Sequence, residues 1–211
     1  MIGLMASEHK RRVWTKPANT ELWLYSNHLN GSLWEDQSGE GNDATLYSAT
    51  LSEADGIYTD GSKYATVGEG PAIGTGGILC AWIKPDSVSG NPLFVSTWDS
   101  TEYMLATYGT TGAAGYNNHQ AGKSASLAAS TWAHVALLYD GSNMMVYVDG
   151  VLGQQVASTS TSVTRGITIG RQNSGASLKY AGYIDDIMIV TSGGDEDMIL
   201  DIMDNSPGSH A

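Results

Sequence analysis

The sequence predicts an all-β protein, a sandwich or a barrel. Short apolar runs recur roughly every 8–12 residues, separated by clusters of Gly, Ser, Asn and Asp. Glycine is abundant, with 26 in 211 residues, and helical periodicity is almost absent. Asp-Gly pairs also recur beside runs rich in Val, Ile, Tyr and Leu, at Asp55-Gly56, Asp60-Gly61, Asp140-Gly141 and Asp149-Gly150. Gly takes positive φ without a Cβ clash, and Asp tolerates the left-handed region while bonding its own backbone. These aspartates therefore read as corners of a sheet and not as chemical groups at a site.

Taken in order, strands are predicted at 21–26, 44–48, 56–59, 63–67, 77–84, 92–98, 103–108, 132–139, 144–149, 152–157, 166–170 and 180–191. GILCAWI and WAHVALLY carry apolar residues at every position, as central strands covered on both faces do. SKYATVG alternates more plainly and reads as lying near an edge. One helix is expected at 195–203, where acidic residues open the segment and Met198, Ile199 and Ile202 stand at helical spacing. These elements form one domain over 20–191, with a basic arm at 1–19 and an acidic tail at 192–211.

The charge is lopsided. The arm holds Lys10, Arg11, Arg12 and Lys16, while the rest of the chain has six Lys/Arg against 21 Asp/Glu, giving −12 overall. Such a body repels nucleic acid and anionic membranes. No segment reaches the ~20 apolar residues of a membrane helix. MIGLMASEHKRR places its charges after a short apolar stretch, the reverse of a secretory leader, so synthesis in the cytoplasm is expected. Cys80, the single cysteine, reads as a buried small hydrophobe.

Four stretches carry a family resemblance. WAHVALLYDGSNMMVYVDG (132–150) resembles the central hairpin of laminin-G-like, concanavalin A-like domains. DQSGEGND (36–43), AWIKPD (81–86) and GYIDDIMI (182–189) fit the same pattern in order. The resemblance covers about residues 20–203 and implies an antiparallel two-sheet jelly roll whose first and last strands are neighbours. The family's usual Arg-Ile-Tyr ending of the last strand is Met188-Ile189-Val190 here, and nothing is carried over from that position.

Domains of this type often hold Ca²⁺ at a sandwich edge. Mapped here, the resemblance implies Asp36, Asn42 and Asp185 as ligands, with the Gly39 carbonyl; a hard cation wants 6–8 such oxygens. A solvated acidic loop is the competing reading. Lectin-like sandwiches also stack sugars on exposed aromatics, and Trp34, Trp98, Tyr103, Tyr108 and Tyr116 stand in or near Gly/Ser/Asn-rich loops. Trp82 and Trp132, within apolar strands, read as core.

Catalysis is not expected. Glycoside hydrolysis needs two carboxylates at about 5–9.5 Å. No strand shows the paired spacing of the related glucanases, and Asp185 and Asp186, being adjacent, should face opposite ways. The five histidines, at 9, 28, 119, 134 and 210, have no metal-ligand spacing. The arm with Lys10, Arg11, Arg12 and Trp14, and the 195–203 segment, read as intersubunit contacts. The expectation is thus a non-enzymatic virion component of a bacterial virus, such as a capsid decoration, fibre or tail protein. It would join other virion proteins or copies of itself. The alternative is an extracellular, calcium-dependent carbohydrate-binding module that meets a cell-surface glycan.

Overall fold

A computed structural model describes residues 14–52, 55–90, 92–97, 104–108, 112–117, 120–158, 165–172 and 178–210. The elements in chain order are β1 (Thr20–Leu24), β2 (Leu29–Asn30), β3 (Leu33–Trp34), β4 (Ala44–Tyr47), β5 (Thr50–Ser52), β6 (Gly56–Thr59), β7 (Tyr64–Gly70), β8 (Gly77–Pro85) and β9 (Leu93–Thr97). They continue with β10 (Met104–Tyr108), β11 (Gly112–Asn117), β12 (Gln120–Ser126), β13 (Ala133–Tyr139), β14 (Asn143–Val148), β15 (Val151–Ala157), β16 (Arg165–Ile169), β17 (Gly182–Val190) and the helix α1 (Glu196–Asn205).

Two antiparallel sheets face each other. The first runs β15-β14-β13-β8-β17-β6-β5, with β1 also paired to β17; the second runs β12-β11-β10-β9-β16-β7-β4-β3-β2. First and last strands are neighbours, as expected. Between the sheets lies the main core, with Leu22, Leu24, Trp34, Ile57, Leu79, Ile83, Phe94, Val135, Leu137 and Ile184 among its buried members. The Asp-Gly pairs are corners. Asp149 and Gly150 both have positive φ (49° and 73°) between β14 and β15. The carboxylates of Asp60 and Asp140 accept from the amides two and three residues ahead.

The outer face of the first sheet is covered as well. Ile199 and Ile202 of α1 join Trp23, Ile78, Cys80, Ala136, Leu138, Tyr147, Met188 and Val190 in a second buried cluster. This explains why GILCAWI and WAHVALLY are apolar at every position. Asp195 caps the helix by accepting from the Met198 amide, a contact that satisfies one of the unpaired N–H groups of the first turn.

Two expectations need correction. The SKYATVG strand, β7, is not near an edge: it lies between β16 and β4. Its alternation reports a sheet with one solvated face, which interior strands share. Trp132 is not core. It precedes β13 and is partly exposed, whereas Trp82 is 4% exposed. Strands β11 and β12 escaped the sequence reading because GAAGYN and QAGKSAS offer small and polar residues with no apolar alternation.

Candidate functional site

Ile57, Ile83 and Ile184 point into the core, so their strand neighbours Tyr58, Lys84 and Tyr183 point outward. Register then aligns them: Tyr58 pairs with Tyr183, and Tyr183 with Lys84. The Ala133–Ile83 pair brings Trp132 beside Lys84. The result is a row across one sheet face, partly exposed throughout. The Tyr58 and Tyr183 rings meet edge-on at 5.2 Å. Lys84 Nζ lies 5.8 Å from the Tyr183 ring centre and 5.9 Å from that of Trp132. Tyr58 donates its hydroxyl proton to Asp86 at 2.7 Å. That hydrogen bond, more than burial, holds the Tyr58 phenol up at about 12.

Below this row the sheet face is interrupted. β17 pairs with β6 through Gly182–Ile184 and with β1 through Ile187–Val190, and the gap falls at Asp185-Asp186. Opposite them, Asp185 pairs with Trp82 and Met188 with Cys80, so one extra residue is inserted into β17. Asp186 takes a φ of 46°. This is a β-bulge, which re-aims side chains locally. The adjacent acids were expected on opposite faces; because of the bulge, both instead meet the same C-terminal segment.

Asp185 Oδ1 accepts from the amides of Ser26 and Asp186, and Oδ2 lies 3.0 Å from His210 Nε2. Asp186 Oδ1 accepts from the Trp23 indole at 2.7 Å, and Oδ2 from the Ser206 hydroxyl. Both acids are fully buried. Burial, with Asp185 nearby, raises Asp186 to about 6, although Ser206, Trp23 and His210 pull the other way. Gly208 is pressed so close that a Cβ there would come within 2.8 Å of the Asp186 side chain. His134 is also buried on this face, and neither ring nitrogen has a hydrogen-bond partner among the described residues; nor does Trp82 Nε1. Burial pushes His134 down to about 3.

A family profile described as the concanavalin A-like lectin/glucanases superfamily, of laminin G type, matches residues 58–193. This chain belongs to that superfamily. No curated protein sequence matches it. Among solved structures it is similar to domain 4 of a GH43 extracellular arabinanase from Geobacillus stearothermophilus, in complex with arabinotriose. The TM-score is 0.66 at 14% identity, over 87% of this chain and 98% of that one. It is also similar to Trypanosoma rangeli sialidase in complex with 2,3-difluorosialic acid (TM-score 0.70, 17% identity, 94% of this chain and 35% of that one). A third is the binding domain of botulinum neurotoxin DC in complex with SialylT (0.65, 14%, 87% and 50%). The chain therefore spans about a third of the sialidase and half of the toxin domain. At these identities the likenesses establish the fold and no more.

Within this lectin/glucanase sandwich, the residues singled out from sequence are dispersed. Asp36 organises its own loop: Oδ1 accepts from the amides of Trp23 and Ser38, and Oδ2 from the Ser38 hydroxyl and the Asn42 amide. Asn42 donates its side-chain amide to the Glu21 carbonyl. Gly39 is a positive-φ turn residue in the same loop (94°). Asp185 is bound elsewhere, at Ser26 and His210. Among the described residues no three His, Cys, Asp or Glu gather as a metal group. The Asp36 oxygens thus serve their own loop and β1, whereas Asp185 is bonded to Ser26, Asp186 and His210.

Trp34 needs correction as a glycan-stacking residue. It is 0% exposed, lies between the sheets and donates its indole N–H to the Tyr25 carbonyl. Trp98 and Tyr103 lie outside the described residues, as do the side chains of Tyr108 and Tyr116 and the whole of Lys10, Arg11 and Arg12. Trp14 turns onto its own chain, edge-on to Trp23 at 5.3 Å and donating to Asp201 of α1 at 3.0 Å. The sequence reading missed the Tyr58–Tyr183–Lys84–Trp132 row because its members are over 120 residues apart at the extremes. Only the register joins them, although each flanks a core isoleucine or alanine.

Proposed function

We propose that this chain is a non-catalytic glycan-binding domain whose ligand lies along Tyr58, Tyr183, Lys84 and Trp132. The row itself supports the reading: three partly exposed aromatic rings in register, interleaved with hydrogen-bonding groups, on a sheet of a lectin-type sandwich. Aromatic faces pack against sugar C–H groups, while Lys84 Nζ, the Asp86 carboxylate and the Tyr58 hydroxyl can address sugar hydroxyls. The neighbours solved with arabinotriose and with SialylT agree with that use of the fold. A catalytic role is disfavoured because Asp185 and Asp186 are buried and bonded to their own chain. The virion role draws less support, since Trp14 and α1, read as intersubunit contacts, cover the chain's own sheet.

The test is binding to a printed array of oligosaccharides, followed by calorimetry on the best binder with Tyr183→Ala and Trp132→Ala. Each replacement should weaken binding at least tenfold while the fold is kept. Binding unaffected by both, or no binder at all, would overturn the reading.

A further inference from the structure

The outer face of the second sheet carries a different set of groups from the first. Ala44, Ala65, Val67, Ile167 and Ile169 point into the core, so Thr45, Tyr47, Tyr64, Thr66 and Thr168 point outward. Register sets them in two rows across β4, β7 and β16. Thr45 pairs with Thr66, and Thr66 with Thr168; two residues along, Tyr47 pairs with Tyr64. Ile169 pairs with Ala65, so the place beside Tyr64 on β16 falls to Gly170, which has no side chain. The guanidinium of Arg171 fills that place, 3.4 Å over the Tyr64 ring. Tyr47, 44% exposed, stacks flat on Tyr64 at 4.6 Å. One row is three hydroxyls; the other is ring, ring and guanidinium.

Two polar groups of β16 and its continuation are left unmet. Thr168 is 1% exposed, and its hydroxyl has no hydrogen-bond partner among the described residues; neither has the buried Nε of Arg171. Buried polar groups are normally paired, with the chain, a ligand or ordered water. Arg171 also makes no ion pair among the described residues, in a chain of net charge −12. Asp43 and Glu35 share this outward parity, but each is engaged in its own loop, with the Asp36 amide and the Asn30 side chain. The stack on Tyr64 holds the guanidinium plane in place, so little freedom is lost when its fork pairs with an oxyanion.

We propose that this patch is a second ligand site, separate from the Tyr58–Trp132 row, for a short saccharide that carries one carboxylate or sulfate. Its anionic group meets Arg171, its hydroxyls meet Thr45 and Thr66, and its C–H groups pack on the exposed ring of Tyr47. Neighbouring strands stand about 4.8 Å apart, so β4, β7 and β16 together span about 10 Å, the length of one or two sugar rings. One cation, and not a basic stripe, selects a single charge: the acidic body turns away long polyanions such as nucleic acid. The site lies on the opposite sheet from the row and does not depend on it.

The test is an NMR titration of the ¹⁵N-labelled intact chain with three probes: digalacturonate, its dimethyl ester and a sulfated disaccharide. A charged probe should shift the amides of β4, β7 and β16. It should bind at least about tenfold more tightly than the ester, as a hydrogen bond to a charged group provides. Arg171→Gln should bring the charged probe down to the affinity of the ester. Thr66→Val should weaken the charged probe and the ester alike, about threefold, with the melting midpoint kept, which a purely structural threonine would not do. Tyr183→Ala should change neither. The galacturonate and sulfate arms tell which anion is held. Equal binding of charged and esterified probes, shifts confined to the Tyr58–Trp132 face, no shift at all, or full affinity in Arg171→Gln overturns the inference. None of these outcomes decides whether a neutral glycan binds the row, which the array and Tyr183→Ala test separately. Should Arg171→Gln not fold, Arg171→Lys keeps the charge, loses the fork, and should lose most of the preference.

Discussion

His210 lies flat on Trp132, ring centres 3.7 Å apart and planes within 9°, with its Nε2 3.0 Å from the buried Asp185 carboxylate. The C-terminal segment is thereby fastened to the end of the aromatic row, and one face of Trp132 is already occupied. His210→Ala removes a ring stack, worth about 0.5–1.5 kcal/mol, and leaves Asp185 Oδ2 without its partner. A hydrogen bond to a charged group contributes about 1.5–3 kcal/mol. The expected loss is therefore ~2 kcal/mol, read as a lower denaturant midpoint at unchanged slope. A loss under ~0.5 kcal/mol would show that the segment is not fastened there.

Asp186 makes a different kind of bond. Its folded-state value is raised to about 6 from 3.8, chiefly by burial. The native state holds this proton more tightly than the unfolded chain does. The resulting stability is full below the unfolded value and is lost as pH rises through about 6, a swing of ~3 kcal/mol at ~1.4 kcal/mol per pH unit. Asp186→Asn removes the titration and keeps an oxygen for the Trp23 indole; Asn is also among the residues most tolerant of positive φ. The variant should melt higher than the parent at pH 8 and match it near pH 4. Equal melting at both pH values would place the carboxyl in contact with water.

His134 produces the opposite slope over an overlapping window. Burial lowers it to about 3 from 6.5, so the stability of its neutral form is full above 6.5 and drains as pH falls toward 3. At pH 5 the loss is about 2 kcal/mol. His134→Leu removes both this slope and two unpaired ring nitrogens, and should stabilise the protein most at low pH. In the parent the slopes of Asp186 and His134 offset each other between about pH 4 and 6. With Asp186→Asn, stability should rise with pH over that range; with His134→Leu, it should fall. Parallel melting-versus-pH curves for the two variants would exclude this pairing.

The sandwich was legible in the sequence because its signals are local. Asp149-Gly150 announces a hairpin, the unbroken apolar runs GILCAWI and WAHVALLY announce central strands, and Met198, Ile199 and Ile202 announce the helix. The bulge was not legible, because two adjacent aspartates on an apolar strand obey the period-2 rule until an unpaired stretch of β17 breaks it. Trp34 misled for a related reason. It stands in a two-residue strand beside an acidic Gly-rich loop, with no flanking apolar run to mark it as core. The aromatic row is a product of register, which no single window contains.

Asp36 shows how an apparent ligand can be a structural group. Its two oxygens accept four hydrogen bonds, from Trp23, Asn42 and both the amide and the hydroxyl of Ser38, and so tie the 36–42 loop to β1. A cation entering here would displace these donors, at about 1–3 kcal/mol for each one left buried and unpaired. Two results are therefore expected. Calcium at 5 mM leaves the melting midpoint where it was, whereas a native-state ligand at 100 times its dissociation constant would add about 2.7 kcal/mol. Asp36→Ala lowers stability by ~2–3 kcal/mol with or without calcium, since the lost bonds belong to the chain. Asp36→Asn loses part of that, because one of its two heavy atoms is a donor where an acceptor is needed. A midpoint that climbs with calcium in the parent and not in Asp36→Ala would return this loop to the role that the family resemblance implied.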